Sequence, residues 1–333
     1  MSRAAVLAGI GGWLPPRVVT NEDLARRFDT SDEWIRSRTG IGQRHVVDQG
    51  TSTGDLAFEA GARALKSAGV DEVDAVVVAT TTPDHLSPAT APQVADRLGL
   101  GGRAAFDVAA VCTGFLYGLA TATGLIASGT ADSVLLIGAE SFTTIVDPAD
   151  RSTSAIFGDG AGAFVLRAGE PDELGAIGPF DLGSDGSLAE LLMIPAGGSR
   201  QRSSGRPAAP GEEYFLMQGK QVYRHAVLRM TESAQRVLAK AGHGTDRIDR
   251  FVGHQANLRI LDAVADRLGV PPERRISNID RVGNTAAASI PLALADAAAA
   301  GELSPGDRVL ASAFGGGLTW GSCLLRWPDI TPA

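Results

Sequence analysis

Three residues of this 333-residue chain have reactive or polar side chains where the predicted backbone changes direction. Cys112 follows small apolar residues and precedes a helical pattern, so we expect it near a helix N-terminus, where the helix dipole and free N–H groups favour the thiolate. His254 follows a predicted strand and opens a predicted helix, and Asn284 stands at the head of an alanine-rich helix. Functional residues concentrate at such junctions. Together the three predict a chemical site with a cysteine nucleophile.

Each of these residue types also has a purely structural interpretation. A cysteine among valine and alanine is usually an inert core residue. A lone histidine at a strand–helix junction is more often structural, and an asparagine before a helix is an ordinary cap. The second cysteine, Cys323, lies in an apolar run that predicts a buried strand, and the remaining histidines have no comparable setting: His45, His85, His225 and His243.

The elements that would position the three residues occur twice along the chain. In each half a strand is followed by a helix, a segment of small residues and a second strand: residues 76–80, 93–99, 106–117 and 134–138, then residues 248–252, 257–268, 283–300 and 308–311. Strands that alternate with helices predict parallel sheets with right-handed crossovers. We therefore predict two halves, residues 1–172 and 173–333, in a layered α/β architecture. The site would lie where loops of both halves converge, at the strand ends.

Composition and charge exclude several other classes of protein. The net charge is −8 and no run of Lys or Arg occurs, so nucleic acid is not an expected partner. No apolar run reaches the roughly 18 residues of a membrane-spanning helix, and residues 1–12 look like a first strand rather than a signal peptide. Two distant cysteines do not form a disulfide framework and indicate a reducing compartment. We therefore expect a cytoplasmic protein.

Three further segments are predicted to be structural. Residues 53–68 have the apolar spacing of an amphipathic helix. Residues 157–163 superficially look like a phosphate loop, but they precede a strand and lack the Gly-Lys-Ser/Thr sequence, so close-packed backbone is the expected role. Residues 195–211 are rich in Pro, Gly and Ser and predict a mobile surface loop.

Six motifs, in order along nearly the whole chain, resemble the β-ketoacyl-acyl carrier protein synthase III family of the thiolase superfamily. They are TSDEWIRSRTGI (30–41), AAFDVAAVCTGF (104–115), DRSTSAIFGDGAGA (150–163), GHQANLRI (253–260), GNTAAASIP (283–291) and AFGGGLTWG (313–321). The set is far more specific than any single motif. The resemblance implies a thiolase-like α/β/α/β/α fold with mixed, largely parallel sheets.

The resemblance also implies a Claisen condensation in two stages. Cys112 would attack an acyl-CoA primer and form an acyl-enzyme. Malonyl-acyl carrier protein would then lose CO₂, while His254 and Asn284 donate hydrogen bonds to its thioester oxygen, and the enolate would attack the acyl-cysteine. The main-chain N–H groups of Cys112 and Gly316 would form the oxyanion hole for acyl transfer. No metal or other cofactor is implied.

The same resemblance assigns contacts to both substrates. Trp34 and Arg151 would sandwich the CoA adenine, with Arg38 near its phosphates. Trp34 and Arg38 lie four residues apart and share a predicted helical face, for which a surface tryptophan with a stacked arginine is the structural alternative. Asn257 would lie along the pantetheine, and Arg259 would help to receive the acidic carrier protein.

The chain departs from the family pattern at a position that bears on the primer. Ser87 stands where some members have an aromatic residue that closes the acyl pocket. A serine leaves room there, so we predict a primer longer or more branched than acetyl. Family members are generally homodimers whose acyl pocket takes a residue from the partner, here near Ser87, and we expect a homodimer. Thr113 and Gly253, where the family often has alanine and proline, should be tolerated.

Several related activities stay open as alternatives. A thiolase needs a second catalytic cysteine, for which Cys323 is the candidate. Elongating ketosynthases pair the cysteine with two histidines, whereas Asn284 takes the third place here, and plant-type polyketide synthases usually have Gly-Phe-Gly-Pro-Gly in place of residues 313–317. Fatty-acid and polyketide priming use the same chemistry. An acyltransferase that passes the acyl group to a hydroxyl or amine is a further alternative, as is a non-catalytic scaffold.

Overall fold

A computed structural model describes residues 3–333, so residues 1 and 2 of the predicted first half lie outside the described residues. The strands of the described part are β1 (Ala4–Trp13), β2 (Arg17–Thr20), β3 (Gln43–Val46), β4 (Ala75–Ala79), β5 (Ala104–Val108), β6 (Ser133–Glu140), β7 (Gly160–Gly169), β8 (Ile177–Ser184), β9 (Leu192–Met193), β10 (Leu216–Met217), β11 (Arg250–Gly253), β12 (Arg275–Ile276), β13 (Arg308–Gly315) and β14 (Thr319–Arg326). The α-helices are α1 (Asn21–Ala25), α2 (Asp32–Thr39), α3 (Thr53–Ala68), α4 (Ala91–Arg97), α5 (Gly114–Ala127), α6 (Arg151–Ser154), α7 (Ser199–Ser203), α8 (Gly219–Lys240), α9 (Leu258–Arg267), α10 (Ile279–Val282) and α11 (Ser289–Ala299).

Two five-stranded sheets share one topology. The first has the order β1–β7–β6–β4–β5, and the second has the order β8–β14–β13–β11–β12. In each sheet the last three strands of that order run parallel, and the first two join antiparallel. The prediction of mixed, largely parallel sheets is confirmed. The boundary that we propose near residue 172 falls in the loop between β7 and β8.

Helices form three layers around the two sheets. α3 packs on one face of the first sheet, and α8 packs with α9 on one face of the second. α5 and α11 lie between the sheets, where buried residues of both helices and both sheets form one continuous core. The order of layers is therefore α/β/α/β/α, as the family resemblance implies. Within residues 3–333, no helix combines the length and apolar character that crossing a bilayer requires.

Successive side chains of a central strand pack against the helix layers on the two faces of its sheet. In β6, Leu135 and Ile137 pack against α3, whereas Val134 and Leu136 face the central helices. Successive side chains of a strand point to opposite faces, so a strand covered on both sides is apolar throughout, and these four residues are fully buried. Each such side chain removed from water contributes about 1.5–3 kcal/mol. This burial gives a rigid base to the loops at the strand ends.

Two of the segments predicted to be structural behave largely as expected. The glycine-rich segment 157–163 is close-packed backbone, since a Cβ added to Gly162 would lie 2.8 Å from the Leu292 nitrogen in α11. The predicted surface loop 195–211 is mostly exposed but contains α7. The sequence does not predict α7 because this short helix has no apolar face and no buried residue.

Candidate active site

Cys112 is the middle residue of a short 3-10 helix, Val111–Thr113, that leads directly into α5. It is half-buried. The predicted position at the start of a helix is therefore observed. Cys323, in contrast, is fully buried in β14, where burial raises the pKa of its thiol to about 12. It is an inert core residue, and the thiolase alternative has no support from its surroundings.

The expectation that the start of the helix favours a Cys112 thiolate is wrong for the free protein. Burial raises the pKa of the thiol above its ordinary value, and the charge of nearby Glu140 raises it further. The main-chain N–H of Cys112 lowers the pKa, but it does not offset burial. A thiolate loses more solvation in an apolar surrounding than the partial charges of a helix end return. Cys112 therefore carries its proton in the free protein.

His254 follows β11 directly and is 2% exposed. Its main-chain N–H donates to the Ser312 carbonyl oxygen at 2.8 Å, which extends the pairing between β11 and β13. Its Nδ1 lies 2.7 Å from Ser289 Oγ at the start of α11. Burial lowers the pKa of the imidazole to about 3, so His254 is neutral at physiological pH. A neutral imidazole in this setting has one N–H to donate.

Asn284 is 5% exposed and precedes a second 3-10 helix, Ala286–Ala288, which leads into α11. Its Oδ1 accepts a hydrogen bond from the Ala286 N–H at 2.9 Å, which fixes the orientation of the amide. Its main chain is bonded to Ile156 and Gly158 at 2.9 and 3.0 Å. Among the residues that the structure describes, the Nδ2 group has no hydrogen-bond partner, so its N–H groups are available to a substrate.

Two turns with the same backbone shape meet at this place. We call residues 110–113 the cysteine turn and residues 284–288 the asparagine turn. Val111 has a φ of 47° and Ala286 a φ of 46°, a region that residues with a side chain rarely adopt and that costs strain. The two turns pack against each other. Their contact joins the segment that carries Asn284, in the second half, to the segment that carries Cys112, in the first half, where convergence of loops was predicted.

The predicted oxyanion hole joins the cysteine turn to the end of β13. A Cβ added to Gly315 would lie 2.9 Å from the Cys112 nitrogen, and one added to Gly316 would lie 3.3 Å from Val111 Cγ2. Glycine at these positions lets the main chain of the second half contact the main chain that carries the thiol. The N–H groups of Cys112 and Gly316 thus belong to two segments in direct contact.

A glycine of the first half holds the asparagine turn in a similar way. Gly138 lies in β6, and a Cβ added there would be 2.6 Å from the Ala287 carbonyl oxygen. Each turn is therefore packed against a strand glycine of the opposite half, with β13 behind the cysteine turn and β6 behind the asparagine turn.

An apolar cluster beside Cys112 was not found by sequence analysis. The Phe142 and Phe157 rings are stacked with centroids 4.3 Å apart, and the Phe215 ring lies edge-on, 5.1 and 5.6 Å from them. Cys112 and Leu192 pack against this cluster. Its members come from separate segments of the chain, so no local pattern reveals them.

A buried carboxyl group, Glu140, was also missed. It is the last residue of β6 and is fully buried. Its Oε2 accepts a hydrogen bond from Thr82 Oγ1 at 2.8 Å, and both oxygens accept from the Thr81 N–H at 3.1 and 3.2 Å. Burial raises the pKa of Glu140 to about 7, against the effect of hydrogen bonds that include the Ala287 main chain. The available sequence signal was an acidic residue that ends an otherwise apolar strand.

A cavity of about 570 Å³ lies beside Asn284. Asn257 caps α9 by accepting from the Arg259 N–H and also donates to the Arg38 carbonyl oxygen, both at 2.9 Å, so it joins α2 to α9 at the cavity wall. Four cationic residues line the cavity, two of them predicted as substrate contacts and two not: Arg38 and Arg259, then Lys220 and Arg224. The cavity therefore has cationic walls in a protein of net negative charge.

Trp34 lies outside the lining of this cavity and is 38% exposed. The Arg38 guanidinium carbon is 5.9 Å from its ring centroid, which confirms the shared helical face, and the Arg151 guanidinium carbon is 4.9 Å away. An aromatic ring held between two planar groups needs roughly 7 Å between them. Trp34 and Arg151 are thus in contact with each other, and an adenine between them requires Arg151 to move outward.

Ser87 is exposed in the loop between β4 and α4, and it does not line the cavity beside Asn284. Its neighbour Leu86 is 78% exposed.

The chain is similar over its whole length to proteins of one family. Residues 106–186 match the family described as 3-oxoacyl-[acyl-carrier-protein (ACP)] synthase III, and residues 238–327 match its C-terminal part. Beta-ketoacyl-[acyl-carrier-protein] synthase III 5 of Streptomyces coelicolor is 65% identical over 331 residues, which cover 99% of each chain.

Two solved structures have the same fold at high identity. The crystal structure of 3-oxoacyl-(acyl carrier protein) synthase III from Pseudomonas aeruginosa PAO1 superposes with a TM-score of 0.92 at 53% identity, covering 99% of this chain and 100% of that one. The priming β-ketosynthase of the R1128 polyketide biosynthetic pathway superposes with a TM-score of 0.91 at 36% identity, covering 98% and 97%.

Proposed function

The chain belongs to the 3-oxoacyl-[acyl-carrier-protein] synthase III family, and we propose that it starts acyl chains by condensing an acyl-CoA primer with malonyl-acyl carrier protein. One observation carries the assignment of residues: the contact between the cysteine turn and the asparagine turn. That contact places the segment that carries Asn284 against the segment that carries Cys112, and His254 contacts Ser289, the residue after the asparagine turn, at 2.7 Å. A decarboxylative condensation needs a nucleophile that holds the primer and donors that stabilise an enolate.

In the first stage, Cys112 takes the acyl group from CoA. Its Sγ attacks the thioester carbon, the C–S bond to CoA breaks, and the thiol proton is transferred to the departing CoA sulfur. The main-chain N–H groups of Cys112 and Gly316 donate to the oxyanion of the tetrahedral intermediate. Because burial raises the pKa of the thiol, the cysteine reacts when the primer is in place rather than as a free thiolate.

In the second stage, the malonyl group loses CO₂ and its C–C bond electrons form an enolate. His254 and Asn284 donate to the thioester oxygen on which the negative charge develops. The enolate carbon then attacks the acyl-cysteine carbonyl, and Cys112 Sγ leaves as a thiolate that takes up a proton from water to restore the thiol. A pKa of about 3 suits His254 to this task, since a neutral imidazole donates a hydrogen bond without adding a buried charge.

The cationic cavity supports the assignment of the carrier and CoA contacts. Arg38 and Arg259 line it with Lys220 and Arg224, and a local positive potential attracts the phosphates of CoA and an acidic carrier protein even when the net charge is negative. Trp34, stacked with Arg151 at one side, is the platform that we propose for the adenine.

The primer and the quaternary structure are linked through the loop that carries Ser87. We propose a homodimer in which this exposed loop, with Leu86 next to Ser87, reaches the acyl pocket of the partner subunit. The apolar cluster beside Cys112 then receives a primer longer or more branched than acetyl. Acylation rates across a series of acyl-CoAs test this, and a sharp preference for acetyl-CoA over butyryl and longer chains would overturn it. Sedimentation analysis tests the dimer.

A cytoplasmic location is a further proposal. Cys112 and Cys323 are both free, which fits a reducing compartment. The catalytic thiol also has to stay reduced for acyl transfer.

Intact-protein mass spectrometry tests the proposed reaction. The wild type, Cys112→Ala and the matched control Cys323→Ala are incubated with acyl-CoAs. We expect an acyl mass increase in the wild type and in Cys323→Ala, and none in Cys112→Ala. Addition of malonyl-acyl carrier protein should then remove the acyl group with release of CO₂. Acylation without this discharge would favour an acyltransferase, and absence of acylation with every acyl-CoA would contradict the proposal.

A further inference from the structure

The proposed function requires His254 to donate from one particular nitrogen, and the structure shows what selects it. Ser289 Oγ lies 2.7 Å from His254 Nδ1, and both residues are 2% exposed. A contact of this length between two buried polar groups is a strong hydrogen bond. Its direction is not fixed by the distance, because either the Ser289 hydroxyl or the Nδ1–H group could donate.

The other partner of Ser289 resolves this direction. Ser289 Oγ also lies 3.3 Å from the main-chain nitrogen of Gln255, which is a donor only. If Nδ1–H also donated, the oxygen would accept twice and its own hydrogen would have no acceptor among the described residues. A buried hydroxyl without an acceptor is destabilising, because its hydrogen has lost the bond that it makes to water in the unfolded chain. The Ser289 hydroxyl therefore donates to Nδ1, and the proton of the neutral imidazole is on Nε2.

Hydrogen bonds from its side chain hold Gln255 in place, so the arrangement of Gln255, Ser289 and His254 is rigid. Its Nε2 donates to the Gly253 carbonyl oxygen at 2.7 Å, and its Oε1 accepts from Ser277 Oγ at 2.8 Å. Both polar atoms of the Gln255 side chain are therefore hydrogen-bonded. This holds in place the residue whose main-chain N–H donates to Ser289 Oγ. Ser289 in turn begins α11, directly after the asparagine turn.

We propose that Ser289 is a positioning residue that holds His254 in the Nε2–H tautomer, and so makes the imidazole a hydrogen-bond donor to the enolate. This inference rests on the proposed function. Without the Ser289 hydroxyl, both tautomers of the buried imidazole become populated, and the Nδ1–H form presents an acceptor where the enolate needs a donor. Ser289 acts through the imidazole, and we expect acylation of Cys112 not to depend on it.

The kinetic test compares Ser289→Ala with a matched control, Ser312→Ala. Ser312 is equally buried and its carbonyl accepts from the His254 main chain, but its hydroxyl bonds to Ser322 Oγ at 2.9 Å instead of to the imidazole. We expect Ser289→Ala to acylate at the wild-type rate while kcat for condensation falls about 10- to 100-fold, less than the largest losses seen when an oxyanion donor is removed. Ser312→Ala should keep both rates, and Ser289→Thr, which retains a hydroxyl, should recover condensation.

A spectroscopic test reads the tautomer directly and does not require turnover. In protein labelled with ¹⁵N-histidine, the His254 signals, assigned with a His254→Gln variant, should show a protonated Nε2 and an unprotonated Nδ1. Ser289→Ala should lose this pattern. A protonated Nδ1 in the wild type, or condensation by Ser289→Ala within twofold of the Ser312→Ala rate, would overturn the inference. A wild type that acylates and never condenses would instead refute the proposed function, and the tautomer measurement would still stand.

Discussion

The cysteine turn and the asparagine turn have the same backbone and different chemistry. In both, a 3-10 helix starts at a strained residue of positive φ, Val111 or Ala286, and leads into a central helix. The second residue of that 3-10 helix is Cys112 in one half and Ala287 in the other. The comparison indicates that the strained turn presents main-chain groups at a helix start in both halves, whereas the proposed nucleophile is present in one half.

The second half contributes residues near Ala287, the residue that corresponds to Cys112, and has no reactive group at Ala287 itself. His254, Asn284 and Ser289 flank the position that corresponds to the thiol, and all three are buried and uncharged. In the proposed mechanism, the first half holds the acyl group and the second half stabilises negative charge. This division can be tested by variants that affect one half at a time.

The largest expected effect comes from the donors. In His254→Ala and Asn284→Ala, kcat for condensation should fall by about 10²- to 10³-fold, since each removes one donor to the developing enolate. Acylation of Cys112 by acyl-CoA should stay within a few-fold of the wild type, because its oxyanion donors are main-chain groups. Single-turnover mass spectrometry measures acylation, and trapped CO₂ measures the second stage. Equal losses in both stages would show that the halves do not divide the chemistry.

Substitution of the two strand glycines, Gly315 and Gly138, gives a second test of whether the two halves have different roles. Alanine at Gly315 forces a Cβ to within 2.9 Å of the Cys112 nitrogen, and alanine at Gly138 forces one to within 2.6 Å of the Ala287 oxygen. Both variants should lose about 1–3 kcal/mol of unfolding free energy in urea titrations, with Gly138→Ala the less stable.

The activities of these two variants should differ as well. Gly315→Ala should slow acylation, whereas Gly138→Ala should slow condensation. Gly186→Ala, where no atom lies within 4 Å of the added Cβ, is the control. Identical profiles for the first two variants would contradict the assignment of one glycine to each turn.

Stability against pH should distinguish the buried acid of the first half from the buried base of the second. The native pKa of Glu140 is about 7, above its ordinary value of 4.5, so its stabilisation is complete below pH 4.5 and is lost as the pH rises through 7. His254 has a native pKa of about 3, below its ordinary 6.5, so stability is lost as the pH falls from 6.5 towards 3. The two effects oppose each other between pH 4.5 and 6.5.

Glu140→Gln removes the first of these effects. The unfolding free energy of the variant relative to the wild type should rise by about 3 kcal/mol between pH 4.5 and pH 8, the equivalent of the pKa difference at 1.36 kcal/mol per unit. Urea unfolding at a series of pH values measures this difference. A pH-independent difference would mean that folding does not raise the pKa of Glu140.

The smallest effects are expected at the surface. Trp34→Ala should raise KM for acyl-CoA, and Arg259→Ala should raise KM for malonyl-acyl carrier protein, each by a few-fold, because exposed stacking and charge contacts contribute about 1 kcal/mol or less. Each variant should leave the KM of the other substrate unchanged. A rise in both KM values for either variant would show that the two substrates share one contact.

Helices and strands could be predicted from the sequence where their ends and faces are determined by neighbouring residues. The helix predicted over residues 53–68 is observed as α3 (Thr53–Ala68), because Ser52 and Asp55 form a capping box at its start and Gly69 adopts the left-handed conformation at its end. The positions of Cys112, His254 and Asn284 at element junctions were likewise visible in the order of strands and helices.

Features that depend on tertiary contacts were not predictable in this way. The raised pKa of Cys112 results from burial, which the cysteine turn acquires only when distant segments cover it. The phenylalanine cluster joins residues 142, 157 and 215, and Ser289 is 35 positions away from the imidazole that it orients. Propensity and periodicity carry no information about such pairs.

The close packing of the cysteine turn against β13 has a consequence for how the protein is made. Thr113, next to the nucleophile, donates to the carbonyl oxygen of Thr319, which lies 206 positions later in the chain. During synthesis the first half leaves the ribosome with its cysteine turn facing no partner strand. Contacts between such distant segments form late. The thiol therefore gains the oxyanion donor that we propose at Gly316 only when almost the whole chain has been synthesised, and we expect activity to appear only when folding is complete.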